Sequence, residues 1–202
     1  MDGLLFDSER IVQRSWEIAG DELGIPHMGD VIYHTLGMNR AGRNEYFRKY
    51  IREDFPFEEF GKLTRDNFWK IVDKEGLPLK KGAKELLAYG KSQGYKMAVA
   101  TSSSREYAMG NLIRAGIDSY FDSVVCGDMV KKAKPDPEIY QKACESLGIQ
   151  PEYCMAFEDA PGGILSAHQA GMHVIMVPDL VQPTQEIREL TYRAVSYTHL
   201  RA

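Results

Sequence analysis

The spacing of apolar positions divides the chain into two textures. From about residue 9 to 78, apolar residues recur at helical intervals. Trp16, Ala19 and Leu23 fall on one helical face, and the run ends at Gly24 and Pro26. Further helices are predicted over 30–36, 43–52 and 57–73, with no β-rich run among them. Arg40, Arg43, Arg48, Lys49 and Arg52 read as a solvated helix face. From Pro78 the pattern alternates between helical spacing and short apolar runs. It predicts helix 82–93, strand 96–101, helix 105–115, strand 123–126, helix 136–147, strand 153–157, helix 162–170, strand 173–177 and helix 184–190, with helical character ending near Arg193. Short apolar strands alternating with helices indicate a parallel sheet covered on both faces. In such sheets the ligand site gathers at the carboxyl ends of the strands.

Composition narrows the class. At 202 residues the chain has room for one domain or for a core carrying a smaller insert. With 44% hydrophobic and 27% charged residues it is not a disordered chain. No apolar run approaches the roughly 18–20 residues of a membrane span. Residues Met1, Asp2 and Gly3 show no basic secretory region, and a cytoplasmic protein is expected. A net charge of −4 with scattered Lys and Arg argues against a nucleic-acid partner. Cys126, Cys144 and Cys154 form no CxxC pair and read as reduced, mostly buried thiols.

Candidate chemistry lies just beyond the strands. Thr101, Ser102 and Ser103 follow the first strand and open a helix. Hydroxyls and free N–H groups there either hold a phosphate or cap the helix. Lys134 precedes Pro135-Asp136-Pro137, as a loop residue or as a cation aimed at a site. Glu158 and Asp159 follow the third strand. Two adjacent carboxylates are costly there unless a cation shares them, and oxygen ligands suit Mg²⁺; the other reading makes Asp159 a helix cap. Asp2-Gly3 at the N-terminus is a turn or a further acidic group.

Together, Asp2, Thr101, Lys134 and Glu158-Asp159 resemble the motifs of the haloacid dehalogenase (HAD) superfamily, in order. The resemblance runs from Met1 to about Val195 and points to the phosphatases and β-phosphoglucomutase-like members with a helical cap. It implies an α/β, Rossmann-like core of residues 1–8 and 79–195 and an inserted helical cap of residues 9–78, hinged near 8–10 and 77–81. The implied chemistry is phosphoryl transfer through an aspartyl-phosphate with Mg²⁺ as cofactor. Asp2 would be general acid and base, Thr101 and Lys134 would hold the phosphoryl oxygens, and Asp159 with Glu158, and Asp2 through its backbone carbonyl, would supply metal ligands. Ser102 and Arg40, the latter in Gly37-Met38-Asn39-Arg40, are candidates for substrate binding.

The sequence departs from that pattern at both ends. The family's nucleophilic Asp would stand immediately before Met1, preceded by the apolar strand at the centre of the sheet. Met1 is therefore expected to be the internal Met of an Asp-Met-Asp-Gly motif, and the chain as written to lack turnover. Residues 196–202 are expected to be a non-native tail, because codons for the last eight residues can reproduce a sequencing-library adapter.

The expected activity is Mg²⁺-dependent hydrolysis of a small phosphorylated metabolite such as a sugar phosphate, by a monomer without membrane partners. The alternatives are a hexose-phosphate mutase and a non-catalytic phosphate-binding protein. The mutase branch carries a cap-side His where this chain has Val12; His27 and His34 are out of register with it.

Overall fold

The computed structural model describes residues 1–35, 40–178 and 183–194. They divide into two compact units, Ser8–Leu77 and Met1–Asp7 with Pro78–Ala202.

The first unit is helical: α1 (Ser8–Glu22), α2 (Met28–Thr35), α3 (Arg40–Tyr50) and α4 (Phe57–Glu75). Gly76, at φ 77°, closes α4 and donates its N–H to Val72 O. The apolar stripes meet around Trp16, whose ring stands edge-on to Phe47 and Phe60 with centroids 5.6 Å away in each case. Met28, Ile32 and Phe55 complete that core. Arg14 clasps Glu75 with two hydrogen bonds of 2.7 and 2.8 Å, linking α1 to the end of α4.

The basic face of α3 is more than a solvated one. The Arg43 guanidinium lies over the Trp16 ring, Arg48 over Phe57 and Lys49 over Tyr50, at 5.7, 4.9 and 5.0 Å from the centroids. Cations covering aromatic faces keep their charge wet while shielding the core. Gly37, Met38 and Asn39 lie outside the described residues, as does the side chain of Arg40.

The second unit alternates α5 (Ala83–Ser92), β1 (Ala98–Ala100), α6 (Arg105–Arg114), β2 (Ser123–Val125), α7 (Glu138–Leu147), β3 (Met155–Glu158), α8 (Pro161–Gln169), β4 (His173–Met176), α9 (Gln185–Glu189) and β5 (Arg193–Ala194). It is an α/β arrangement with parallel strands, as the alternating pattern predicts. Two ladders result: β1 on β2, with Val99 opposite Val124, and β3-β4-β5, with Phe157 opposite Ile175. Among the described residues no ladder joins β1 to β3. Val125, Ile139, Ala143, Ile164, Val174 and Met176 pack as the core of this unit.

Several boundaries differ from the sequence expectation by one to three residues, and two differences have a visible cause. The third strand begins at Met155 rather than 153, because Pro151–Tyr153 closes a 3-10 turn in which Tyr153 N–H donates to Gln150 O. The stretch near Arg193, expected to end a helix, is instead strand β5. Tyr192 N–H donates to Val174 O at 2.8 Å, so the open edge of β4 captures it.

Residues 1–7 form a tight turn. Met1 O accepts from the N–H groups of Leu4, Leu5 and Phe6, and Phe6 is fully buried. Asp7 N–H donates to Pro78 O and Lys80 N–H to Leu5 O, so this turn is lashed to the strand-side return of the chain.

Trp16→Ala should destabilise the helical unit by about 3–5 kcal/mol, the usual cost of emptying a buried aromatic site. Trp69→Ala, at a residue 43% exposed on the same unit, should stay within about 0.5 kcal/mol. Urea denaturation followed by circular dichroism measures both; equal losses would contradict the placement of Trp16 at the core.

Candidate active site

The site is assembled at the carboxyl ends of β1, β2 and β3. Beyond β1, Thr101 is buried and its hydroxyl accepts from Ser103 N–H at 3.2 Å. Ser104, not Thr101 or Ser102, caps α6 by accepting from Tyr107 N–H. The hydroxyls of residues 101–103 are therefore left for other work. Ser102 is exposed, whereas the Ser103 hydroxyl donates to one oxygen of Asp2 at 2.9 Å. The Tyr107 hydroxyl donates to the other oxygen at 3.0 Å. Burial, then the Asp2 charge, pushes the Tyr107 phenol above its ordinary value, so it remains a donor at neutral pH. Asp2 is thus oriented by two hydroxyls from the β1–α6 segment.

Beyond β2, the loop to α7 presents Lys134. Glu138 in the first turn of α7 accepts from the N–H groups of Lys131 and Lys132 and pairs with Lys142 at 3.0 Å. The Lys131 N–H and the Lys142 ammonium bring its carboxyl down to about 2. Ser166 on α8 donates to Asp136 O at 2.6 Å, tying the same loop to the neighbouring helix. So held, the Lys134 ammonium donates to Ala100 O at the end of β1 (3.3 Å) and pairs with the Glu158 carboxylate at the end of β3. It lies 4.8 Å over the Tyr140 ring, whose hydroxyl also donates to Glu158.

Glu158 is 6% exposed. Burial would push its carboxyl up. The Lys134 ammonium, the α-ammonium of Met1 and the donated hydrogen bonds outweigh burial and hold it below the ordinary carboxylate value. Burial and then Glu158 push the Tyr140 phenol well above its own.

Asp159 follows and does not cap α8: the N-cap is Ala160, and no side chain caps that end.

Two glycines make this packing possible. A Cβ on Gly163 would run into the Glu158 carboxylate, and one on Gly127 into the Ser102 carbonyl. The sequence reading missed Tyr107, Tyr140 and both glycines. Gly162-Gly163 directly after Pro161 is a sequence signal of close approach in the first turn of a helix. Neither tyrosine carries one, since each acts across the fold.

The structure places Asp2, Thr101 and Lys134 in this one unit, with Lys134 linking the ends of β1 and β3. No group of three or more His, Cys, Asp or Glu metal ligands occurs among the described residues: the Asp2 carboxylate is turned toward Ser103 and Tyr107, and Glu158 toward Lys134 and Tyr140. What remains is the adjacent pair Glu158 and Asp159. These are hard oxygen donors, and Mg²⁺ is commonly held by one or two carboxylates together with substrate phosphate. The donor set therefore fits that ion in kind.

These side chains stand at the strand ends of a parallel α/β unit, the fold of the HAD superfamily. The chain belongs to the haloacid dehalogenase-like hydrolase family, whose model matches residues 1–177. It is 33% identical to the phosphorylated carbohydrates phosphatase of Thermotoga maritima, over 87% of this chain and 81% of that protein. It is 31% identical to hexitol phosphatase A of Escherichia coli, over 88% of this chain and 80% of that protein. Its fold matches a HAD family hydrolase from Deinococcus radiodurans with a TM-score of 0.85 at 24% identity, over 100% of this chain and 91% of that one.

Gly127→Ala and Gly163→Ala should each cost about 1–3 kcal/mol by overpacking, through different neighbours. Glu158→Ala removes the group that Gly163→Ala strikes. In that background Gly163→Ala should therefore become nearly neutral, while Gly127→Ala keeps its full cost because it strikes backbone. Thermal denaturation of the two double variants measures this; additivity in both would contradict the Gly163–Glu158 contact.

Proposed function

We propose that the activity is that of a Mg²⁺-dependent phosphatase acting on a small phosphorylated metabolite, with sugar phosphates the leading class. The observation that carries this reading is the placement of Asp2. Its two oxygens are held by the Ser103 and Tyr107 hydroxyls, at the same β1 end that Lys134 reaches through Ala100 O. The named activities of the Thermotoga and Escherichia relatives, both phosphatases of phosphorylated carbohydrates or hexitols, support the substrate class.

In this mechanism the phosphoryl group is transferred through an aspartyl-phosphate, which water then hydrolyses. Asp2 protonates the leaving oxygen and later takes a proton from the attacking water. The two hydroxyls fix its orientation for both transfers. Thr101 and Lys134 hold phosphoryl oxygens and neutralise charge as it develops. Ser102, exposed on the same loop, contacts the substrate, and Arg40 on the helical unit is assigned its distal end. Bound Mg²⁺, held by Asp159 with Glu158, would supply further charge neutralisation.

The mutase reading is weaker. Val12, aligned with the acid–base His of that branch, packs against the apolar core of the helical unit. A mutase would also need a bisphosphate activator.

The test is a paired assay. The protein and its Asp2→Asn variant are offered a panel of sugar phosphates with Mg²⁺. The variant should release phosphate about 10²–10⁴-fold more slowly, the usual contribution of a positioned general acid and base. Chelation by EDTA should abolish the release. A folded protein that releases none, or that needs a bisphosphate, would overturn the phosphatase reading.

A further inference from the structure

The Lys134 ammonium and the Tyr140 hydroxyl donate to the same oxygen of Glu158, Oε1. No donor among the described residues reaches the other oxygen, Oε2. Nor is Oε2 sealed from solvent: among the described residues, Thr64 Oγ1 on α4 is the buried side-chain oxygen or nitrogen left without a partner. One carboxylate thus has an oxygen claimed twice and an oxygen open to a further partner. The ion pair alone does not require this division, because an ammonium can bridge both oxygens of a carboxylate.

The division follows from counting protons. An ammonium has three to donate. Those of Lys134 go to Ala100 O at 3.3 Å, to the Tyr140 hydroxyl at 3.3 Å and to Glu158 Oε1. None is left for Oε2. The Tyr140 hydroxyl has one proton and gives it to Oε1 while accepting from Lys134. Lys134, Tyr140 and Glu158 therefore close a ring of hydrogen bonds on one side of the carboxylate. Tyr140 also holds the ammonium with its aromatic face, Nζ standing 4.8 Å from the ring centroid. Its own place is fixed in the first turn of α7, where its N–H donates to Pro137 O at 3.0 Å, and by burial in the core of the α/β unit.

Without the Tyr140 hydroxyl, one proton of the ammonium is released, and the acceptor at hand is Oε2. A carboxylate bridged through both oxygens by a buried ammonium has none to offer a divalent cation until that ammonium is displaced. Hard cations need such an oxygen, and the partners that orient a ligating carboxylate set its affinity for the metal.

We propose that Tyr140 is a positioning residue for the metal: by taking one proton of Lys134 and giving its own to Oε1, it keeps Oε2 of Glu158 open to a divalent cation held with Asp159. This rests on the Mg²⁺ assignment above, and adds to it which oxygen of Glu158 serves and what keeps it open.

The experiment titrates MgCl₂ into the metal-free full chain without substrate and reads the heat of binding. Tyr140→Phe keeps the ring, its packing and the cation over its face, and removes the hydroxyl alone. It should weaken Mg²⁺ binding about tenfold or more, the usual cost of losing a group that orients a metal ligand. Glu158→Gln removes the carboxylate being positioned, so in that background Tyr140→Phe should change the affinity by less than about twofold. A merely structural role would instead lower it by the same factor in both backgrounds. Thermal denaturation followed by circular dichroism sets a temperature at which every variant is folded, and binding is read there. Unchanged affinity in Tyr140→Phe, equal losses in the two backgrounds, or no Mg²⁺ binding by the unsubstituted chain would each overturn the proposal. Phosphate release is read separately. A binding loss confined to the Glu158 background, without release from any sugar phosphate, supports the positioning role and counts against the phosphatase reading alone. Where release is seen, Tyr140→Phe should raise the Mg²⁺ concentration for half-maximal rate and leave the rate at saturating Mg²⁺ nearly unchanged.

Discussion

The α/β unit turns on one buried ion pair. Lys134 and Glu158, with side chains 14% and 8% exposed, bridge the carboxyl ends of β1 and β3, which no ladder joins among the described residues. Desolvating two charges is expensive, and such a pair is favourable only when its remaining hydrogen-bonding capacity is met. Here it is met: Lys134 also reaches Ala100 O, and Glu158 also accepts from Tyr140. The chemistry of the site depends on the same arrangement. A cation fixed at the end of β1 is available to a phosphoryl group only because its own carboxylate partner is fixed beyond β3.

Much of the surrounding structure serves that placement. Glu138 gathers the amides of Lys131 and Lys132 and so sets the loop from which Lys134 projects. Ser166 holds Asp136 from the far helix. Gly163 leaves room for the Glu158 carboxylate, and Gly127 lets the β2 end approach the residue 101–103 loop, where its N–H donates to Ser103 O at 2.9 Å. On the β1 side, Ser104 takes over the capping of α6, and that releases Ser103 to orient Asp2.

The alternating apolar runs made the order of strands and helices legible, and strand ends drew attention to Thr101, Lys134, Glu158 and Asp159. These signals are local: a β-strand's apolar run and the polar residue after it are neighbours in sequence. What escaped was produced by contacts across the fold. Tyr107 and Tyr140 are ordinary helix residues until folding brings Asp2 and Glu158 to their hydroxyls. Strand β5 forms because the edge of β4 is open, which no property of Arg193 and Ala194 announces. The same limit left both capping alternatives open, at residues 101–103 and at Asp159, until the geometry assigned the caps to Ser104 and Ala160.

The most direct test of this account is the coupling energy between Lys134 and Glu158. Lys134→Met, Glu158→Leu and the double variant would be compared by urea denaturation at neutral pH. Each single variant strands a buried charge and should cost about 3–5 kcal/mol, whereas the double variant should recover most of that loss, since apolar replacement of a whole buried pair is often neutral. Additive losses, with a coupling near zero, would contradict the claim that this pair holds the ends of the two ladders together.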